Sequence, residues 1–182
     1  AFIFDLDGVI TEASAEYHFR SWERLANEEG LPFSRQANEQ LRGVSREESL
    51  RRFLNGRQIN PAQRLDWLQR KDDYFIKQLA QMTSKDSRPG IQPFLKEARA
   101  QGIKMGIASA SRNAYAVLEK LNLLGYFEIV GDATLAVRPK PAPDLFIWVA
   151  GYLQAQVQEA IVFEDAESGL QAAQNAGFWT VG

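Results

Sequence analysis

Apolar and polar positions along this chain follow two different rhythms. Between about residues 14 and 82 the apolar residues recur at helical spacing: Phe19, Trp22, Leu25 and Ala26, then Leu50, Phe53 and Leu54, then Leu65, Leu68, Phe75 and Leu79. No stretch of this block alternates as a half-buried strand does. Its breaks fall at Gly30-Leu31-Pro32, at Gly43, and between Asn55-Gly56 and Asn60-Pro61. Pro61 suits the first turn of a long helix, where a missing N–H costs nothing. After Ser87-Arg88-Pro89-Gly90, helical stretches alternate with short apolar runs. The pattern predicts helix 91–101 closed by Gly102, strand 103–108, helix 114–121, strand 127–130, helix 144–153 and strand 160–163. Helix 167–175 with Gly177 beyond its end and a last strand over 178–182 complete the series.

Strands separated by helices call for a parallel sheet covered on both faces. The run Ala1-Phe2-Ile3-Phe4 belongs to the same sheet, so the helical block is an insertion after the first strand. The expected fold is α/β: a Rossmann-like core built from 1–13 and 84–182, with an all-helical unit over 14–83. There is no internal repeat and no low-complexity tract. Ala1 leaves almost no room before the first strand, and the last strand stops with nothing after it, so a fragment of a longer chain is expected.

Composition narrows the function classes. The chain has 182 residues, 45% of them apolar, enough for a substantial core. Its 21 basic and 23 acidic residues give a formal net charge of −2, without the like-charge runs that serve nucleic acid or membrane surfaces. The absence of cysteine excludes disulfides and thiolate chemistry. No apolar run approaches the ~20 residues a membrane helix needs, and the start lacks the features of a signal peptide, so a cytoplasmic monomer is expected.

The chemistry concentrates where strands end. In Asp5-Leu6-Asp7-Gly8-Val9-Ile10-Thr11, directly after the first strand, side chains two apart in extended backbone point the same way, and Gly8 allows a sharp turn. Asp5 and Asp7 can therefore share a site, one attacking phosphorus and the other exchanging a proton with the leaving or entering oxygen. Ser109-Ala110-Ser111 follows the second strand and offers hydrogen bonds to phosphate oxygens near a helix start. Lys140, in Arg138-Pro139-Lys140-Pro141-Ala142-Pro143-Asp144, offers charge from a loop stiffened by prolines. Glu164 and Asp165 join Asp5 as hard oxygen ligands suited to Mg²⁺.

Taken singly, each feature has an ordinary explanation. Asp-x-Asp-Gly is often a turn after a strand, Ser111 a helix cap, Asp165 an N-cap and Lys140 a solvated lysine. Arg46 has the lesser alternative of a surface arginine after a capping Ser45. Lys71, amid Gln69, Arg70, Asp72 and Asp73, reads as part of a solvated helix face. Four ordinary explanations would have to coincide at four strand ends of one sheet, which favours the shared site.

Those residues, in that order, resemble the haloacid dehalogenase superfamily, and the stretches Ala15-Glu16-Tyr17-His18-Phe19 and Arg42-Gly43-Val44-Ser45-Arg46-Glu47 resemble its β-phosphoglucomutase branch. The resemblance covers nearly the whole chain and implies that the insertion is a helical cap. It implies Asp5 as the nucleophile that becomes an aspartyl phosphate and Asp7 as general acid/base. Asp5, Glu164, Asp165 and the Asp7 carbonyl would hold Mg²⁺. Ser109 and Lys140, with Ala110, Ser111 and Asn113 nearby, would hold the transferring phosphate. Arg46 would grip the other phosphate, with His18, Gly43, Val44 and Lys71 as sugar-side and hinge-side partners. The implied partner is a small sugar phosphate, with glucose 1,6-bisphosphate as activator and intermediate. The readings left open are a Mg²⁺-dependent sugar-phosphate phosphatase of the same fold and a non-catalytic phosphosugar-binding module.

The chain departs from the branch in one place. An acidic-hydroxyl pair usually stands directly before Ala-Glu-Tyr-His, whereas this chain reads Glu12-Ala13-Ser14, one residue longer. The position normally filled by a threonine hydroxyl falls on Ala13, and Ser14 substitutes for it if the extra residue is absorbed as a loop.

Overall fold

The computed structural model describes residues 1–135 and 138–182. Strand β1 (Phe2–Phe4) is followed by four helices: α1 (Glu12–Glu28), α2 (Arg35–Glu39), α3 (Arg46–Leu54) and α4 (Pro61–Leu79). Then come α5 (Ile91–Ala100), β2 (Met105–Ala108), α6 (Ala114–Lys120), β3 (Ile129–Gly131), α7 (Asp144–Tyr152), β4 (Ile161–Phe163), α8 (Glu167–Ala176) and β5 (Trp179–Val181). All strand pairs are parallel, in the order β3-β2-β1-β4-β5. The alternating half of the chain thus forms the parallel sheet its pattern predicts, and the helical half adds no strand among the described residues.

The sheet order decides where chemistry can occur. β1 lies at the centre, with Phe4 in register with Ile107 on one side and Phe163 on the other. The chain leaves β1 outward through β2 and β3, then returns on the opposite side through β4. A crevice therefore opens at the carboxyl end of β1, flanked by Ser109 and Glu164.

Two apolar layers sandwich the sheet. Ile3, Phe146, Val149, Val162, Ala172 and Ala173 fill one side under α7 and α8. Phe4, Leu95, Met105, Ile107 and Leu118 fill the other. Phe75, Leu79 and Met82, from the end of α4 and just beyond, enter this second layer and anchor the insertion to the sheet. The insertion also has a core of its own around Trp22, Leu25, Leu50, Phe53, Trp67 and Leu68. The two crossings between the units are stitched side by side: Thr11 Oγ1 donates to the Asp86 carbonyl at 2.6 Å, and the Arg88 amide to the Ile10 carbonyl at 2.8 Å.

Where boundaries differ from the pattern, hydrogen bonds explain the difference. The Ile103 amide is taken by the Ala98 carbonyl and closes α5, so the strand starts at Met105. The amides of Tyr126 and Phe127 close a 3₁₀ turn over Leu124–Tyr126, which delays β3 to Ile129. α1 starts at Glu12, before the expected 14, because Thr11 caps it by accepting the Ala13 amide at 3.1 Å. Glu12, Ala13 and Ser14 are therefore the first turn of a helix, and the extra residue is absorbed there, not in a loop. Pro61 does sit at the start of α4, inside a capping box made by Asn60 and Gln63.

Helix α7 lies close on the sheet because β2 and β3 offer it glycines. A Cβ at Gly106 would meet Val149 Cγ1 at 2.7 Å and Ile129 Cγ2 at 3.0 Å. Gly106→Ala is therefore expected to destabilise the fold by about 1–3 kcal/mol, read as a lower denaturation midpoint at unchanged m-value.

Candidate active site

Every part of the crevice is delivered by a strand end or by the insertion. Asp5 leaves β1 and is buried, its amide bonded to the Phe163 carbonyl at 2.9 Å. Glu164, also buried, leaves β4. The 138–144 loop, whose Lys140-Pro141 peptide is cis, carries Lys140 beneath them. The Lys140 ammonium uses all its donors, on Asp5 Oδ1 at 2.7 Å, Glu164 Oε2 at 2.7 Å and the Ala108 carbonyl at 3.1 Å. The solvated lysine that the loop composition also allowed is thus ruled out by burial. Glu164 Oε1 accepts the Ala166 amide at 3.0 Å, and Gly169 lies so near that a Cβ there would overlap the carboxylate.

Asp165, the next residue, does not cap α8; Ala166 occupies that position, with no side-chain cap. Its Oδ2 is ion-paired with Arg42 of the insertion, and its buried Oδ1 has no hydrogen-bond partner among the described residues. One carboxylate oxygen each of Asp5, Glu164 and Asp165 falls within 4.8 Å of the others. Three hard anionic donors converging on a point, one of them with an orphaned buried oxygen, fit Mg²⁺. Burial first, then the Glu164 charge, push the Asp5 pKa well above the usual carboxylate range, against Lys140. Burial likewise raises Asp165 despite Arg42. A divalent cation held by these three carboxylates would relieve the repulsion that the single lysine leaves.

Asp7 has different company. Its Oδ2 lies 3.4 Å from His18 Nε2, and His18 Nδ1 lies 2.6 Å from Lys71 Nζ. An ammonium only donates, so Nδ1 accepts and the imidazole proton sits on Nε2, directed at Asp7. Burial would raise the Asp7 pKa, but the attraction and hydrogen bond of His18, the Ser14 hydroxyl and the Lys71 charge outweigh it and lower it. His18 is itself lowered, by burial and then by Lys71, and its ring stacks on Phe75 with centroids 4.2 Å apart. The Asp7 carboxylate therefore faces His18 and stands apart from the cluster of Asp5, Glu164 and Asp165.

The remaining residues form the walls. Asp5, Asp7, Ala110, Ser111 and Asn113 line one cavity from the core side. His18, Gly43, Val44, Arg46 and Lys71 line it from the insertion. Ser109, Lys140, Glu164 and Asp165 stand behind this surface. Ser109 is wholly buried and orders the loop: its Oγ accepts the Ser111 amide at 3.1 Å, and Ser111 Oγ accepts the Asn113 amide at 3.2 Å. Asn113, not Ser111, occupies the cap position of α6. Arg46 follows Ser45, the cap of α3, and pairs with Asp72 and with Glu47 at 3.2 Å.

Lys71 overturns the reading of a solvated helix face, since it is 3% exposed beneath His18. Ser14 supplies a hydroxyl beside Asp7, as sequence allowed, though from a helical turn and not a loop; Arg42 and Asp72 border the site without having been assigned from sequence. Arg42 stood inside the quoted 42–47 stretch, but nothing in its spacing showed that it would cross to Asp165.

The model for haloacid dehalogenase-like hydrolases matches residues 1–177. The chain is 39% identical over 186 residues to β-phosphoglucomutase of Bacillus subtilis, across all of this chain and 82% of that protein. It is 27% identical to a phosphorylated carbohydrates phosphatase of Thermotoga maritima, across 97% of this chain and 81% of that one. It superposes on the crystal structure of β-phosphoglucomutase from Clostridium difficile with a TM-score of 0.95, at 36% identity over all of this chain and 83% of that one.

Burial lowers the Lys71 pKa from 10.5 to about 8, against the attraction of Asp72 and Asp7. Between those values the unfolded chain binds the proton that the folded chain has lost, so stability rises with pH; below about 8 both states are protonated and the cost is fully present. Relative to Lys71→Met, the wild-type chain is expected to gain on the order of 3 kcal/mol from pH 8 to 10.5, measured by urea denaturation at each pH.

Proposed function

The chain belongs to the haloacid dehalogenase-like hydrolase family, and on that premise we propose that it is a Mg²⁺-dependent β-phosphoglucomutase interconverting β-D-glucose 1-phosphate and glucose 6-phosphate through bound glucose 1,6-bisphosphate. The observation that carries this reading is one cavity with a phosphoryl-transfer end and an end where Arg46 stands between the carboxylates of Asp72 and Glu47. Asp5 and Asp7 line the first, and the guanidinium of Arg46 lines the second. A mutase must present either end of a bisphosphate to the same nucleophile, so it needs a second phosphate site on the insertion, and a planar guanidinium suits a phosphate. The 39% identity to the Bacillus subtilis β-phosphoglucomutase supports the same choice.

In the proposed reaction an Asp5 carboxylate oxygen attacks phosphorus of the bisphosphate. The phosphorus–oxygen bond to the sugar breaks, and the departing oxygen takes a proton from Asp7, leaving an aspartyl phosphate and a sugar monophosphate. In the second half Asp7 removes the proton of the acceptor hydroxyl, which attacks the aspartyl phosphate and regenerates Asp5. The proton that Asp7 gives up is the one it takes from the acceptor hydroxyl in the second half; the His18 Nε2–H steadies the Asp7 carboxylate between the two transfers, and Lys71 holds the imidazole in the required tautomer. Asp7 Oδ1, buried and without a partner among the described residues, is the oxygen free to exchange that proton. Ser109 orders the 109–113 loop toward the transferring phosphate, and Lys140 supplies positive charge beside Asp5. Mg²⁺ held by Asp5, Glu164, Asp165 and the Asp7 carbonyl would screen the nucleophile from its anionic substrate. The insertion, folded over the site, keeps water from the aspartyl phosphate.

A phosphatase differs only in the acceptor, water replacing the sugar hydroxyl. The likeness to the Thermotoga maritima phosphatase keeps that reading in play. A binding module is the weaker alternative, because it has no use for Asp7 in its own hydrogen-bonded setting.

With β-glucose 1-phosphate, Mg²⁺ and a trace of the 1,6-bisphosphate, glucose 6-phosphate is expected to form with little free phosphate. Mainly free phosphate would make the chain a phosphatase. Asp5→Asn is expected to abolish both products in folded protein. Arg46→Ala is expected to cut kcat/KM for glucose 6-phosphate formation by about 10²-fold while reducing phosphate release far less.

A further inference from the structure

Arg42 lies in the turn between α2 and α3, outside the catalytic roles assigned above. It borders the active-site cavity on one side and, on the other, an outer groove between the insertion and the core lined by Glu39, Arg52, Pro141 and Glu167. It is thus part of the wall between the reaction site and solvent. The turn is docked at three points on the loop that follows β4 and on the first turn of α8. Arg42 pairs with Asp165, Ser168 Oγ donates to the Arg42 carbonyl at 3.3 Å, and Gly43 meets Ala166 and Ser168 so closely that a Cβ would stand 2.8 and 2.6 Å from them. Gly43 adopts φ +69°, a conformation that favours glycine, so the turn has little freedom to place Arg42 elsewhere.

The charges explain why this contact forms. Asp5, Glu164 and Asp165 bring three negative charges together. Lys140 serves the first two, and Asp165 is left for a cation from the insertion. Without a divalent ion, Arg42 offsets what Lys140 cannot. With one, the trio and Lys140 are already neutral in sum, so Asp165 no longer calls for Arg42; the dication repels the guanidinium, which keeps Glu39 Oε2, at 3.2 Å, as its partner on the insertion.

We propose that Arg42 is a metal-responsive latch: it holds the insertion on the core through Asp165 while the carboxylates lack a divalent cation, and releases when Mg²⁺ takes Asp165. The proposal rests on the metal site of the function proposed above. Metal binding would then open the seam between insertion and core and admit substrate, so the enzyme loads metal first and sugar phosphate second.

The test is Mg²⁺ binding by calorimetry together with small-angle X-ray scattering on the whole chain, neither of which requires turnover. Mg²⁺ is expected to enlarge the wild-type radius of gyration in the absence of substrate. Arg42→Gln is expected to have the larger radius without metal, to show no further change with it, and to bind Mg²⁺ about tenfold more tightly. Asp165→Asn without metal, in which Arg42 is intact but its partner is neutral, is expected to scatter like Arg42→Gln, which covers the case of a variant that fails to fold. Mg²⁺ affinities equal within about twofold, or a metal-free Asp165→Asn as compact as wild type, would overturn the latch while leaving the metal site intact. A wild-type chain that binds no Mg²⁺ would overturn both the latch and the metal reading beneath it.

Discussion

Three carboxylates forced together at the end of a buried parallel sheet are the constraint that organises this molecule. Parallel strands in register bring Asp5 and Glu164 side by side whatever their charges, and Asp165 follows by one residue. The interior resists such crowding, as the raised pKa of Asp5 records. Each neighbouring feature answers that resistance. Lys140 is brought in on a loop and spends all its donors there. Gly169 leaves room for the Glu164 carboxylate, and Gly8 leaves room for Asp165 and Arg42 together. The position of the insertion belongs to the same response, since Arg42 is the cation that Asp165 obtains from it.

Two residues along, Asp7 meets the opposite environment. Its partners His18, Lys71 and Ser14 all come from α1 and α4, that is, from the insertion. Two carboxylates on one short turn are thereby driven in opposite directions, Asp5 up by burial and neighbouring anions, Asp7 down by a chain of donors. Divergent environments of this kind are how a pair of like groups acquires separate roles. Because the partners of Asp5 come from the core and those of Asp7 from the insertion, any shift of the insertion alters the setting of Asp7 far more than that of Asp5.

The sheet, the insertion and the strand-end residues were legible because they follow from periodicity. Alternating short apolar runs and helices admit few arrangements, and side chains two apart on a strand share a face. Strand starts were less so, since the Ile103 amide could as well close a helix as join a sheet, and the choice is made by the Ala98 carbonyl. Lys71 was misleading because its immediate neighbours are polar. Its position, three after Leu68 and four before Phe75, places it on the buried stripe of α4, and burial followed the stripe rather than the local composition. Arg42 was beyond reach, because its contact depends on how the insertion meets the core.

The lengthened Glu12-Ala13-Ser14 stretch shows how a local departure is accommodated without losing the chemistry. An added residue in a loop would leave the following helix where it was. Added to the first turn of a helix, it rotates everything before it by about 100°. Thr11 absorbs the change by capping α1 and at the same time bonding Asp86 on the returning crossing, so the helix starts from a point tied to the core. Ser14 is then turned inward, fully buried, and its hydroxyl comes beside Asp7 while Ala13 carries none. A helix reached from a fixed cap can thus bring a hydroxyl beside Asp7 from Ser14 even though Ala13 has none.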